Sequence, residues 1–317
     1  MVFRTVTEIK QNDRMVSHSD GIMLLGSCFA ENIGRRLEDG MYDTDINPFG
    51  TLYNPSSIAR TIRRVVAATP YDYTELFYSD GLWHSFDHHS RFSGSEQKTV
   101  LERINSRLQA AHEHLRRARL LIITFGTAFV FRLADNGAIV ANCHKLPSSR
   151  FSRTRLTEQE IIEDWNTTLQ MLAEFNPELQ IVFTVSPVRH LADGLHGNQL
   201  SKATLLLATD KLVQVNCQCR YFPSYEIVTD ELRDYRFYAA DMAADYVAER
   251  FCEAFTTEQA RRKAEQCKKL VTMTRHRPMT DNVVSLTKFR NSTLALARKL
   301  QEQMPYLEKK INKLIEK

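Results

Sequence analysis

The chain has 317 residues, enough for one large domain or a domain with an added piece. Its 42 Lys and Arg nearly balance 38 Asp and Glu, and the net charge of +4 gives no whole-chain case for binding nucleic acid. Apolar residues make up 43%, ordinary for a globular protein, and no stretch approaches the roughly 18 apolar residues of a membrane span.

Residues 1–14 alternate polar groups without an apolar core, unlike a signal peptide. Ile22, Met23, Leu24 and Leu25 form a short apolar run ending in Gly26-Ser27, which predicts a buried strand. A helix follows over 30–37, stopped by Gly40. Residues 42–46 predict a second strand, ending at the turn Asn47-Pro48-Phe49-Gly50. Pro55 suits the first residue of a helix running to about Ala68. Residues 71–95 are rich in Tyr, Phe, Trp and His without helical period, and read as an ordered insertion of short strands. Residues 96–117 are an amphipathic helix, and 120–125 the most apolar strand, closing in Gly126-Thr127.

Asp135-Asn136-Gly137 between two β-rich runs, 129–133 and 138–143, predicts a hairpin. Thr157 with Glu160 forms a capping box opening a helix to about Phe175. Residues 179–185 predict a buried strand closed by Ser186-Pro187, 198–215 a helix, 222–228 a strand and 246–255 a helix. A long helix is expected over 290–317, broken at Pro305. Strands alternating with helices predict a doubly wound α/β domain with a mainly parallel sheet over 1–255. Residues 256–317 are expected to pack as a helical appendage. The basic runs Arg261-Arg262-Lys263, Lys268-Lys269 and Lys309-Lys310 read as solvated helix faces.

In such a sheet ligands bind beyond the carboxyl ends of the strands. Three expected strand ends carry small polar groups: Gly26-Ser27, Phe49-Gly50-Thr51 and Gly126-Thr127. A serine past the first strand, opening a helix, can attack. The unpaired N–H groups of that first turn can hold the oxyanion of acyl transfer. Gly50 and Thr127 can add donors, and Asn47 stands with them as a binding residue. A plainer reading makes Ser27 a helix cap and the glycines turn residues.

His190, just after Ser186-Pro187, is a candidate base. His144, His84, His88 and His89 are weaker ones. Asp87-His88-His89 suggests a metal only faintly, because adjacent residues rarely point to one ion. Cys28 reads as a small buried hydrophobe. The six cysteines lack paired CxxC spacing, which predicts reduced thiols in a cytoplasm, with no metal and no cofactor.

The run Leu25-Gly26-Ser27-Cys28-Phe29-Ala30-Glu31-Asn32-Ile33-Gly34 resembles the signature of the GSCFA family, which is placed near the SGNH/GDSL esterases. The likeness continues through Asn47-Pro48-Phe49-Gly50-Thr51, Leu82-Trp83-His84-Ser85-Phe86, Phe125-Gly126-Thr127-Ala128, Asn142-Cys143-His144-Lys145 and Ser186-Pro187-Val188-Arg189-His190. It also covers Asn198-Gln199-Leu200-Ser201-Lys202 and Tyr235-Arg236-Phe237-Tyr238-Ala239-Ala240-Asp241-Met242. The resemblance implies an SGNH-type three-layer fold and a serine ester hydrolase. Ser27 matches the nucleophile, Gly50 the glycine of the second block and Gly126 the start of the third. Thr127 stands where that block carries an oxyanion-hole asparagine.

By the same resemblance Asp241 is the catalytic aspartate of an Asp-x-x-His pair. The histidine position is Ala244, however. Either the general base is lost or a short segment is missing from this chain. The expected substrate is an acyl ester, such as an acetylated carbohydrate. The alternative is a catalytically impaired module that binds a glycan or small acyl compound. No nucleic acid or membrane is expected as a partner, and the oligomeric state stays open.

Overall fold

Strand β1 (Gly21–Gly26) is buried along its whole length, as its unbroken apolar run requires of a strand covered on both faces. It pairs in parallel with β5 (Ala118–Phe125), Leu24 opposite Ile122 and Gly26 opposite Thr124. β5 pairs in parallel with β9 (Gln180–Val185), and β9 with β10 (Cys219–Tyr221). With β2 (Asp43–Ile46) on the far side of β1, the sheet order is β10-β9-β5-β1-β2. The protein is therefore α/β with a five-stranded parallel central sheet. The chain leaves β1 toward β2 on one side and reaches β5 on the other. Such a reversal opens a crevice between the carboxyl ends of β1 and β5.

The computed structural model describes residues 6–233, 242–275 and 283–316. The chain divides into two compact units. One comprises residues 1–9, 21–34 and 44–247; the other comprises 10–20, 35–43 and 248–317.

In the first unit, Met23, Leu25, Leu121, Ile123, Phe125, Ile181, Phe183 and Val185 point to one face of the sheet. Four helices contribute to the same core. These are α2 (Pro55–Ala67), α3 (Gln97–Arg117), α4 (Glu158–Phe175) and α5 (Gly194–Val215). Each presents an apolar stripe at helical spacing, such as Val100, Ile104, Leu108, Ala111 and Leu115 of α3. Pro55 opens α2 beneath the cap Asn54, and Ala68 closes it in the left-handed conformation. The aromatic insertion contains the antiparallel pair β3 (Leu76–Ser79) and β4 (Leu82–Ser85). A second small sheet has the order β7-β6-β8, from β6 (Phe129–Leu133), β7 (Ile139–Val140) and β8 (Phe151–Arg155).

Two segments depart from the sequence reading. Residues 222–228 are not a strand. The edge strand ends at Tyr221, and Pro223, which has no N–H for a ladder, leads into a helical turn at Ser224–Glu226 and a π turn at Ile227–Glu231. β8 was not foreseen, because its residues are mostly exposed and include Arg153 and Arg155.

The second unit is helical. It holds α7 (Glu258–Arg275), α8 (Val283–Gln303) and α9 (Glu308–Ile315), with Pro305 in the short turn that separates the last two. Its core joins Cys267, Leu270 and Val271 of α7 to Ala297 and Leu300 of α8 and Ile311 of α9, and includes Met41. His18 belongs here too. Its Nε2 lies 2.7 Å from Gly40 O and its ring stacks on Tyr42. Helices α1 (Cys28–Asp39) and α6 (Met242–Phe255) each contribute residues to both units. Among the described residues no helix is long and apolar enough to cross a membrane.

Candidate active site

Gly26 ends β1 with φ at +144°, where a Cβ would lie 2.2 Å from Thr124 O. A glycine is what allows β1 to turn this close to β5. The Gly26 N–H donates to Asn47 Oδ1 at 2.9 Å, and Asn47 N–H donates to Leu24 O at 2.8 Å. The 47–50 turn is thereby hooked onto the end of β1. Asn47 itself has φ at 45°, and its buried Nδ2 has no hydrogen-bond partner. Gly50 has φ at +92°, and its N–H closes the turn on Asn47 O at 2.8 Å. That donor is spent within the turn in this conformation. A Cβ on Gly50 would meet His89 Cβ at 2.1 Å.

Ser27 follows at the start of α1, beyond the sheet rather than within it. Its Oγ accepts from Phe29 N at 3.2 Å and its carbonyl from Glu31 N at 3.3 Å. These are the bonds of a helix cap, so the plain role is filled. Ser27 is 1% exposed. It borders β5 closely: a point 3.3 Å from Ser27 Cβ is where a Cβ on Gly126 would sit, 3.4 Å from the Tyr53 ring. Tyr53 O accepts from both Gly126 N at 2.8 Å and Thr127 N at 3.0 Å. The Thr127 hydroxyl lies 3.1 Å from Ser201 Oγ and accepts from Phe129 N.

His190 lies on the loop after β9, half-buried, its ring edge-on to Tyr53 at 5.7 Å. Its backbone N–H donates to Asn198 Oδ1 at 3.0 Å. Burial first, and then the Lys202 charge, lower its pKa below the usual histidine value. Asp241 lies outside the described residues. Ser27, Asn47, Gly126 and Thr127 thus share the carboxyl ends of β1 and β5, with His190 joined through Tyr53.

Lys202 was not foreseen as a site residue. It is 1% exposed on α5, and its Nζ donates to Gly126 O and Ser186 O, each at 2.6 Å. These carbonyls lie just beyond the ends of β5 and β9. Burial lowers its pKa to about 7, partly offset by Cys28. The sequence held a signal: Asn198, Ser201, Lys202 and Leu205 follow the spacing of an inward helix face. A lysine there reads by habit as solvated.

The histidines of the aromatic insertion serve packing. His88 is buried among Phe49, Tyr71 and Phe92, and burial lowers its pKa to about 3. His84 packs on Phe77, as does His144 from outside the insertion, and His89 caps a short turn. Asp87 pairs with Arg60 instead of its histidine neighbours. Among the described residues no group of three His, Cys, Asp or Glu is placed to hold a metal. Ser27 lines neither the 630 Å³ cavity between α7, α8 and α9 nor the 390 Å³ groove beside Arg60 and Arg63.

Residues 21–257 match the GSCFA family, three quarters of the chain and all of the strand-end site. The chain belongs to the GSCFA family. No curated protein matches it. The family match begins at β1 and takes in Gly26-Ser27-Cys28-Phe29-Ala30 together with Lys202.

Proposed function

We propose that this GSCFA protein is a serine-dependent acyl-ester hydrolase with an SGNH-type fold, acting on an acyl ester such as an acetylated carbohydrate. One observation carries the reading: Ser27 sits in the β1–α1 turn beside Gly126, at the point where the strand order reverses. Ser27 Oγ attacks the ester carbonyl, and N–H groups of the first turn of α1 steady the oxyanion. Asn47 Nδ2, buried and unpartnered at the same strand ends, is a further donor for that oxygen. The 71–95 segment joins the site where His89 N donates to Phe49 O, and it exposes the rings of Tyr73 and Tyr78. Such faces suit a sugar.

The test is a screen with short-chain aryl esters and acetylated saccharides, run on the wild type and Ser27→Ala. Turnover in the wild type and loss of at least about 100-fold in the variant is expected. Equal turnover in both removes Ser27 from the reaction.

A second reading, a binding module without catalysis, rests on the position that the SGNH resemblance assigns to the catalytic histidine. Ala244 occupies it, 1% exposed within α6. Saturable saccharide binding without turnover would favour this reading.

A further inference from the structure

We infer that Asn198, Ser201 and Lys202, on the buried face of α5, are positioning residues that hold the loops after β5 and β9 around Ser27. The assignment rests on the serine-hydrolase reading.

The three residues are spaced i, i+3 and i+4, so they share one side of the first turns of α5. They are 3%, 1% and 1% exposed. Further along, Leu205, Ala208 and Leu212 carry the same side of the helix into the apolar core. Apolar residues would cover the sheet at lower cost, because a buried polar group is stable only with a partner. The polar turns lie where the chain leaves the sheet, and each of the three side chains takes its partners from a loop.

Ser201 Oγ accepts from Ala128 N at 2.7 Å and lies 3.1 Å from the Thr127 hydroxyl oxygen. Lys202 Nζ donates to Gly126 O and Ser186 O, each at 2.6 Å. Asn198 Oδ1 accepts from His190 N at 3.0 Å. Residues 126–128 follow β5, while 186 and 190 follow β9, so one helix face ties both loops together. The reach to Ser27 runs through Gly126, where a Cβ would lie 3.3 Å from Ser27 Cβ. Lys202 holds the carbonyl of that glycine and Tyr53 O holds its N–H at 2.8 Å, so the residue beside the serine is fixed on both sides. On the other loop, Asn198 fixes the backbone from which the His190 ring meets Tyr53 edge-on at 5.7 Å.

The opposite end of β5 offers a contrast. Asn176, 7% exposed, donates through Nδ2 to Leu115 O at 3.0 Å and Ala118 O at 2.8 Å. It is the same kind of buried brace, but at the end of the strand away from Ser27. That brace serves the fold alone. The α5 bonds also set the groups around a reacting atom, where a shift of about 1 Å can cost on the order of 100-fold in rate.

The test is phosphorylation of Ser27 by diisopropyl fluorophosphate, in which Ser27 Oγ bonds to phosphorus and fluoride leaves with the hydroxyl proton. Peptide mass reads the rate against reagent concentration, which separates the limiting rate from the half-saturating concentration. The intact wild type is compared with Ser201→Ala, Ser201→Thr, Asn198→Ala and Asn176→Ala, each at a temperature where circular dichroism shows it folded. Ser201→Ala and Asn198→Ala should lower the limiting rate at least about 10-fold and leave the half-saturating concentration unchanged. Ser201→Thr, which keeps the hydroxyl, should recover most of the rate. Asn176→Ala should lower Tm and keep the wild-type rate. A wild-type limiting rate in folded Ser201→Ala or Asn198→Ala overturns the assignment, and so does a Ser201→Thr rate as low as that of Ser201→Ala. Equal slowing in Asn176→Ala also overturns it, because the effect is then general loosening; this arm decides even if the α5 variants fail to fold. Absence of label in the wild type defeats the serine reading itself, and the positioning assignment with it.

Discussion

Two glycines set the turns around Ser27. A Cβ on Gly26 would press on the Thr124 carbonyl at 2.2 Å, at a φ that side chains avoid. Gly26→Ala should cost about 3 kcal/mol, against about 1 kcal/mol for Gly137→Ala, where φ is +70° but the space is open. Denaturant midpoints of the two variants check the ordering. Tyr53 raises a question of access, since its ring and Ser27 meet at the same point on Gly126. Tyr53→Ala should speed labelling of Ser27 several-fold by clearing the approach. An unchanged rate would show that the ring does not screen the serine.

Lys202 also leaves a mark on stability. Its folded pKa of about 7 lies below its ordinary value of 10.5, so between those values the unfolded chain binds more protons. The stability cost of burying this amine is therefore full below that window and lifts as pH rises through it. The difference in Tm between the wild type and Lys202→Met should move in favour of the wild type from pH 7 to pH 10. A difference that stays flat would mean the amine remains charged throughout.

Among the elements, α4 shows how local chemistry fixes a boundary. Thr157 and Glu160 bond each other's backbone N–H, and the helix starts at Glu158. Thr157→Ala should cost about 1 kcal/mol in thermal or denaturant unfolding. That boundary was readable in the sequence because a capping box is a contact within four residues. β1, β5 and β9 were readable because strands covered on both faces are continuous apolar runs. The same rule hid β8, whose exposed pattern has no such run. Phe222 and Ile227 misled in the other direction, being apolar enough for a strand but followed or preceded by Pro223, which ends the ladder. At the site, Ser27 and Gly126 were legible from strand ends. Lys202 was not, because its two acceptors lie just past the ends of strands that only the fold brings to it.

At the scale of the whole molecule, the helical unit takes residues from both ends of the chain. Met41 packs with Cys267, Leu300 and Ile311, and His18 lies 3.2 Å from the Tyr306 hydroxyl. A chain ending at residue 255 keeps Met41 and His18 but loses those partners. It should aggregate or melt at a lower temperature, as light scattering and calorimetry would show. A soluble truncated chain with an unchanged Tm would mean that residues 10–20 and 35–43 need no helical cover.

The bond from Lys202 to Gly126 joins residues 76 apart in sequence, and Tyr53 O reaches the same glycine from another distant segment. Closing loops of this kind spends chain entropy before any contact repays it. Local helices can form early, but the corner that holds Ser27 waits for β1, β5 and β9 to align and for α5 to dock. During synthesis Ser27 therefore emerges long before its surroundings. A ribosome-bound chain that stops short of residue 202 carries Ser27 and Gly126 but not the lysine that ties the ends of β5 and β9 together.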